Sequence, residues 1–255
     1  MRPLADILPL SPLQQGLLFH ALYDERGYDS YSVQLVVRLD GPLDSLRMQA
    51  AVAALLRRHP HLCAGFLHQG LQTPVQVIPS DLTAPWQEID LTPFDAAERE
   101  GRRVSWLAED IAKRFHPDKP PLLRFSLLRL SAERHELVFT HHHILLDGWS
   151  LPILLQELLA LYQSPNGAGL TTAIPYREYL SWLHNQDRQA ALFVWKQVLE
   201  GIEEPSRVAP VAASGSCIPE TLSFEVPTDL SSVLSACSRR HGLTMNTLVQ
   251  GAWGI

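Results

Sequence analysis

Hydrophobic residues recur along this chain with two periods, and the switches between them mark out its elements. In LDSLRMQAAVAALLRRH (residues 43–59) the apolar positions fall three and four apart, which predicts an amphipathic helix ended before Pro60. Ser11 and Pro12 open an earlier helical pattern, with Ser11 as N-cap and Pro12 at the first helical position. Between the two, YSVQLVVRLDG alternates as a strand does and stops at Gly41 and Pro42. Short strands are expected over residues 62–68 and 75–78. Residues 95–115 read as a charged helix with one apolar stripe: Val104, Leu107, Ile111 and Phe115. LLRFSLLRL and RHELVFTHH are two strong strands, separated by a turn at residues 131–133. Helices are then expected over residues 149–162, 176–184 and 187–199, with SPNGAGLTT as a loop between the first two.

The stretch IEEPSRVAPVAASGSCIP has no periodicity and reads as a linker. Beyond it, ETLSFEV is expected to be a strand, and residues 229–240 and 245–253 helices. One strand and two helices leave apolar faces with nothing to pack against, so the chain is expected to stop within a larger fold.

Composition narrows the function classes. Apolar residues make up 46% of the 255 residues and charged residues 19%, enough for a sizeable core. A formal charge of -6 without a Lys/Arg run argues against nucleic acid as a partner. Cys63, Cys217 and Cys237 are too scattered for a disulfide framework or a CxxC zinc site, and read as reduced thiols. MRPLADILPLSPLQQG lacks the apolar run of a signal peptide. The most apolar stretch, LLDGWSLPILLQELLALY, is broken by Asp147, Gln156 and Glu157, so it is a buried helix and not a membrane span. A soluble cytoplasmic protein is expected, with no membrane partner.

The chemistry concentrates at HHHILLDGWS, residues 141–150. If the preceding strand keeps its period of two, His141 and His143 share a face with Leu137 and Phe139, and His142 points the other way. Imidazoles and a carboxylate at a strand end can line a cleft. No cysteine and one Asp at an unfamiliar spacing do not make a metal site. Asp147-Gly148 also fits a turn capping the next helix, and His142 also fits a core histidine.

The string matches the HHxxxDG signature of the condensation-domain superfamily of nonribosomal peptide synthetases, at His142, His143, Asp147 and Gly148. Other stretches resemble further motifs of that family, in order: LSPLQQGLLFHAL the first, RRHPHLCAGF the second (RHExLRTxF), PYREYLSWL the fourth (YxDYAVW), and HGLTMNTLVQGAW the start of the family's second lobe. The resemblance spans about residues 6–255. It implies an α/β fold: a chloramphenicol-acetyltransferase-like lobe, a mixed sheet flanked by helices, over residues 1–200. A linker (201–218) and the incomplete beginning of a second similar lobe (219–255) would follow. The active site would lie in a tunnel between lobes, so residues 1–255 alone are expected to be inactive.

The resemblance also implies roles. His143, with His142 beside it, would be catalytic. Asp147 would be structural, paired with an Arg; Gly148 would let the backbone pass close to the acceptor thioester; Trp149 and Ser150 would lie on the tunnel. The amine of an aminoacyl group on a downstream peptidyl carrier protein would attack a peptidyl thioester on an upstream one. Both substrates would ride on 4'-phosphopantetheine arms, with no cofactor bound by the domain itself, and adenylation or epimerization domains would be neighbours. An α-amine has a pKa of about 8, so the demand on an imidazole is modest. LPLSPLQQGLLFHALYD and HHILLDGWS look most like the subtype joining a D-configured donor to an L-configured acceptor.

One departure stands out. Arg58 and His59 of the second motif are retained, but its later Arg is Cys63, and a thiol cannot supply a guanidinium's donors. Arg124 is the candidate to cover the loss. Three rival readings remain: an epimerization domain, which shares the signature; a non-catalytic recruitment domain; and a free-standing coenzyme A acetyltransferase, whose HxxxD spacing His143 and Asp147 satisfy.

Overall fold

The computed structural model describes residues 3–23, 29–81, 83–204 and 222–254. Most of the expected linker, residues 205–218, lies outside them. The chain falls into two compact units, Met1–Cys217 and Ile218–Ile255.

The first unit holds two sheets. One is antiparallel, ordered β1 (Leu4–Pro9), β4 (Val75–Pro79), β3 (Gly65–Leu67); the other is mixed, ordered β2 (Ser32–Asp40), β7 (Arg134–His142), β6 (Leu123–Ser131), β5 (Trp86–Asp90). Only β5 runs parallel to its neighbour. β1 and β5 were not expected, and Leu62 and Cys63, expected to begin a strand, fall in a 3-10 turn (Pro60–Cys63).

Helix α2 (Ser45–Arg58) shows how the pattern becomes packing. Asp44 caps it by accepting from the Arg47 N–H, and Met48, Ala51, Val52, Leu55 and Leu56, each 3% exposed or less, form its inner face. That face belongs to one core with Leu137, Phe139, Phe125 and Phe66. Alternation along β7 holds: Leu137, Phe139 and His141 follow one another at every second position, Phe139 stacked on Phe125 at 4.5 Å and on His141 at 4.7 Å. The stack carries the core to the strand end where the histidines lie. Helix α4 (Ser150–Gln163) packs on α2, its Tyr162 hydroxyl accepting from the Asp44 N–H.

The opposite face of β7 meets α3 (Ala96–Ile111) through polar groups. α3 starts at its Asp95 cap as expected but ends before Phe115, and Val104 of the expected stripe is 53% exposed. Leu107 of that stripe packs, with Trp106, on a small second cluster, and the one buried residue of α3 is Asp110. Gln34, Thr140 and Arg124 lie in register across β2, β7 and β6, and all three donate to the Asp110 carboxylate, at 3.0, 2.6 and 2.7 Å.

Three more helices complete the first unit: α1 (Pro12–Tyr23), α5 (Tyr176–His184) and α6 (Arg188–Val198). The second unit is a helix pair, α7 (Thr228–Arg240) and α8 (Met245–Trp253). α7 closes with Gly242 at φ +64, the Leu243 N–H bonded to Ser238 O and the Gly242 N–H to Arg239 O; Thr244 then caps α8. The expected strand at residues 220–226 is absent over its described part, residues 222–226, and the described residues of this unit hold no strand for it to pair with. Among the described residues no helix is long and apolar enough to cross a membrane.

Candidate active site

β7 ends in a tight turn held by several hydrogen bonds. The His143 N–H donates to Tyr31 O at 2.8 Å, and the Leu145 N–H to His142 O at 3.1 Å. The Ile144 N–H donates to His142 Nδ1 at 3.0 Å. A backbone N–H can only donate, so His142 Nδ1 is an acceptor and its ring proton sits on Nε2, 3.6 Å from Asp29 Oδ2. Asp29 is itself held by the Tyr31 N–H and the Ser32 hydroxyl. Burial, only partly offset by Asp29, pushes the His142 pKa down.

His143 has the opposite tautomer. Its Nδ1 lies 3.0 Å from Leu146 O, and a carbonyl can only accept, so Nδ1 carries the proton and the Nε2 lone pair is left. No described residue bonds that nitrogen. His143 is half-buried and lines a cleft of about 470 Å³. An imidazole with its proton fixed behind it and its lone pair forward can accept a proton or a hydrogen bond from a nucleophile.

The two neighbouring histidines therefore separate in role. His142, 1% exposed, does not line the cleft. Its Nδ1 accepts from the Ile144 N–H, and so it braces the turn that presents His143. His141, 2% exposed, stays neutral because burial pushes its pKa down to about 4. Among the described residues no group of three or more His, Cys, Asp or Glu could hold a metal ion.

Other expected residues are placed as follows. Asp147 lines the cleft mouth but pairs with no described Arg; its Oδ1 accepts from the Ser150 N–H at 2.8 Å and the Ser150 hydroxyl at 2.7 Å, at the start of α4. The capping reading of Asp147 is the one observed. Cys63, which stands where the second motif has its later Arg, is 1% exposed in the core, and burial together with Asp81 pushes its thiol up to about 12. Arg124 does not replace that Arg, because it lies on the far face of the sheet, bound to Asp110. Arg58 makes a two-point contact with Glu157 of α4, at 2.8 and 3.2 Å, with His59 on the same carboxylate at 2.5 Å; together they fix α4 against α2. Gly148 faces open space, so its own unit does not require a glycine there. Ser150 lines the cleft, whereas Trp149 does not and stands 88% exposed.

Loss of the Asp147 cap is expected to be measurable. Hydrogen bonds from Ser150 hold the Asp147 carboxyl below the usual range. A depressed folded-state pKa contributes stability above the unfolded value of about 3.9 and loses it as pH falls through the folded value. Asp147→Ala should cost about 1 kcal/mol at pH 7, solvent screening keeping it there, with the cost shrinking in acid. Urea midpoints for both proteins at pH 7 and pH 3 test this.

Gln14, His61 and Tyr176 line the same cleft without having been singled out. His61 stacks on Tyr176 at 4.9 Å, and burial with nearby His59 pushes its pKa down to about 4, so this wall is uncharged and aromatic. For Gln14 the signal was S-x-x-Q in SPLQ, the spacing of a capping box.

Comparisons with known proteins identify the family and the fold. The chain is 36% identical over 262 residues to one of the linear gramicidin synthase proteins of Brevibacillus parabrevis, covering 100% of this chain and 3% of that protein. It is 33% identical over 258 residues to bacitracin synthase 1 of Bacillus licheniformis, covering 98% of this chain and 5% of that one. Among solved structures, it shares the fold of the first condensation domain of the calcium-dependent antibiotic synthetase in complex with substrate analogue 2a. The TM-score is 0.73 at 21% identity, over 96% of this chain and 59% of that one. The starter condensation domain of rhizomide synthetase RzmA matches with a TM-score of 0.66 at 18% identity, over 79% of this chain and 50% of that one. The chain thus spans a small part of its curated relatives and between half and three-fifths of these two solved domains. The architecture is the chloramphenicol-acetyltransferase-like one expected from the motifs. A family model described as Condensation domain runs over residues 4–255, and this chain belongs to that family.

Proposed function

We propose that this chain carries the histidine half of a peptide-bond-forming site in a nonribosomal peptide synthetase. The observation that carries the reading is His143, whose Nδ1–H is fixed to Leu146 O while its ring lines the cleft. The amine of an aminoacyl group, tethered by a 4'-phosphopantetheine arm to a downstream carrier protein, attacks the carbonyl carbon of a peptidyl thioester on an upstream carrier. The C–N bond forms, the C–S bond breaks, and the upstream thiol leaves. Nε2 of His143 accepts the amine proton or holds the amine by hydrogen bond as it attacks. Two tethered substrates need chiefly orientation, which a narrow cleft supplies. The partners are the two carrier proteins and neighbouring adenylation or epimerization domains, in the cytoplasm. The helix pair α7–α8 is read as the start of the second lobe.

We assign the D-donor, L-acceptor subtype on the motifs LPLSPLQQGLLFHALYD and HHILLDGWS. In the complete domain, with loaded carriers, a D-terminated peptidyl donor should transfer to an L-aminoacyl acceptor at least about tenfold faster than its L-terminated epimer, a difference of about 1.4 kcal/mol in the barrier. Equal turnover of both epimers removes the subtype. Inversion of a carrier-bound aminoacyl group without an acceptor replaces condensation with epimerization.

A further inference from the structure

We propose that Gln14 is a positioning residue that holds the His143 turn in register with helix α1. The proposal rests on His143 being the working residue of the cleft. Gln14 is 7% exposed, and both ends of its amide are committed. Its Oε1 accepts from the Ser11 N–H at 3.0 Å and from the Gln76 amide at 3.3 Å, while Gln76 is anchored by donating to Pro9 O at 2.7 Å. In return the Ser11 hydroxyl accepts from the Gln14 N–H at 3.2 Å, which closes a capping box. Two donors facing Oε1 fix the orientation of the amide, so Nε2 must point the other way. It donates to Ile144 O at 3.1 Å, across 130 residues of sequence.

A capping box needs only the oxygen of this side chain, so the second hydrogen bond is additional to capping. Ile144 O lies inside the turn that runs from His143 to Leu146. Backbone groups and the His142 ring fix the start of that turn, and the His143 ring bonds its end. Gln14 holds the middle. With Nε2 gone, the buried Ile144 carbonyl loses its partner, and an unsatisfied buried carbonyl drives local rearrangement. The next peptides then turn, Leu146 O moves off His143 Nδ1, and the ring loses its fixed tautomer.

The test reads that tautomer directly. The whole chain, labelled with ¹⁵N at its 11 histidines, gives ring-nitrogen signals that separate Nδ1–H from Nε2–H forms, and loss of one set in His143→Gln assigns His143. The native chain should show His143 as a single Nδ1–H form near pH 8. Gln14→Met, of similar length but without a donor, should turn this into the mixed signal of an unconstrained imidazole. Ser11→Ala removes the capping hydroxyl but not the amide; it should lower the melting temperature and leave the His143 signal unchanged. Should Gln14→Met not fold, Gln14→Glu above its carboxyl pKa keeps the cap acceptor and lacks the donor, and it should show the same mixture. An unchanged Nδ1–H signal in the folded Gln14 variant overturns the proposal, as does an equal change in Ser11→Ala. Because the readout is a ring resonance, it is independent of whether the domain makes peptide bonds.

Discussion

Replacing Arg124 with methionine is expected to destabilise the first unit by about 3–5 kcal/mol, the usual cost of stripping the partner from a buried charge. The Asp110 side chain is 3% exposed, and Arg124 meets it through Nε at 2.7 Å and through Nη2 on its backbone carbonyl. Burial pushes the Asp110 carboxyl up, but bonds from Thr140, Arg124 and Gln34 together outweigh it and bring the group below its ordinary range. Its contribution is therefore present above the unfolded pKa and lost as pH falls through the depressed folded value. Without the guanidinium, burial prevails and the carboxyl rises. The deficit of Arg124→Met should then shrink in acid, where Asp110 becomes neutral. The pair Arg124→Met, Asp110→Leu should recover much of the loss, because no unpaired charge remains. Urea unfolding at pH 7 and pH 5 measures all three effects; a deficit below about 1 kcal/mol at pH 7 would place this network among surface ion pairs. Thr140 lies one residue before His141, so the same network holds the strand end that leads to the site.

Much of this arrangement was legible in the residue pattern. The period in residues 48–56 read directly as the buried face of α2, and alternation along β7 placed His141 with Phe139 because a strand buried on both faces still alternates side to side. What escaped depends on distant partners. β1 and β5 are edge strands; LADILP and WQEID have little alternation, and pairing with β4 and β6 decides their conformation. Asp110 escaped because an apolar stripe says nothing of a buried carboxylate whose donors come from three strands. At the site, the motif located the histidines but not their tautomers, which the turn's hydrogen bonds set. It also implied an Arg paired with Asp147, whereas that carboxylate accepts from Ser150 at the start of α4.

His143→Ala should have the largest effect on activity: a fall of about 10²–10⁴-fold, the range of a well-placed proton acceptor. Among the described residues the ring has one bond, to Leu146 O, and an edge approach to His141 at 6.2 Å, so the variant should fold. On the proposed role the lone pair meets the reacting amine, so the loss should fall on the chemical step with carrier affinity unchanged. His142→Ala differs in kind. It frees the buried Ile144 N–H and should lower stability along with rate, by about 1–3 kcal/mol for a buried donor left unmade.

The most direct measurement is single-turnover transfer between a donor-loaded upstream carrier and an aminoacyl-loaded downstream carrier, followed by intact mass in the complete domain. With the native protein the donor mass should appear on the downstream carrier, and with His143→Ala it should appear about 10²–10⁴-fold more slowly. Equal rates for the two proteins would contradict a proton-accepting or amine-holding role for His143 and leave it a part of the scaffold.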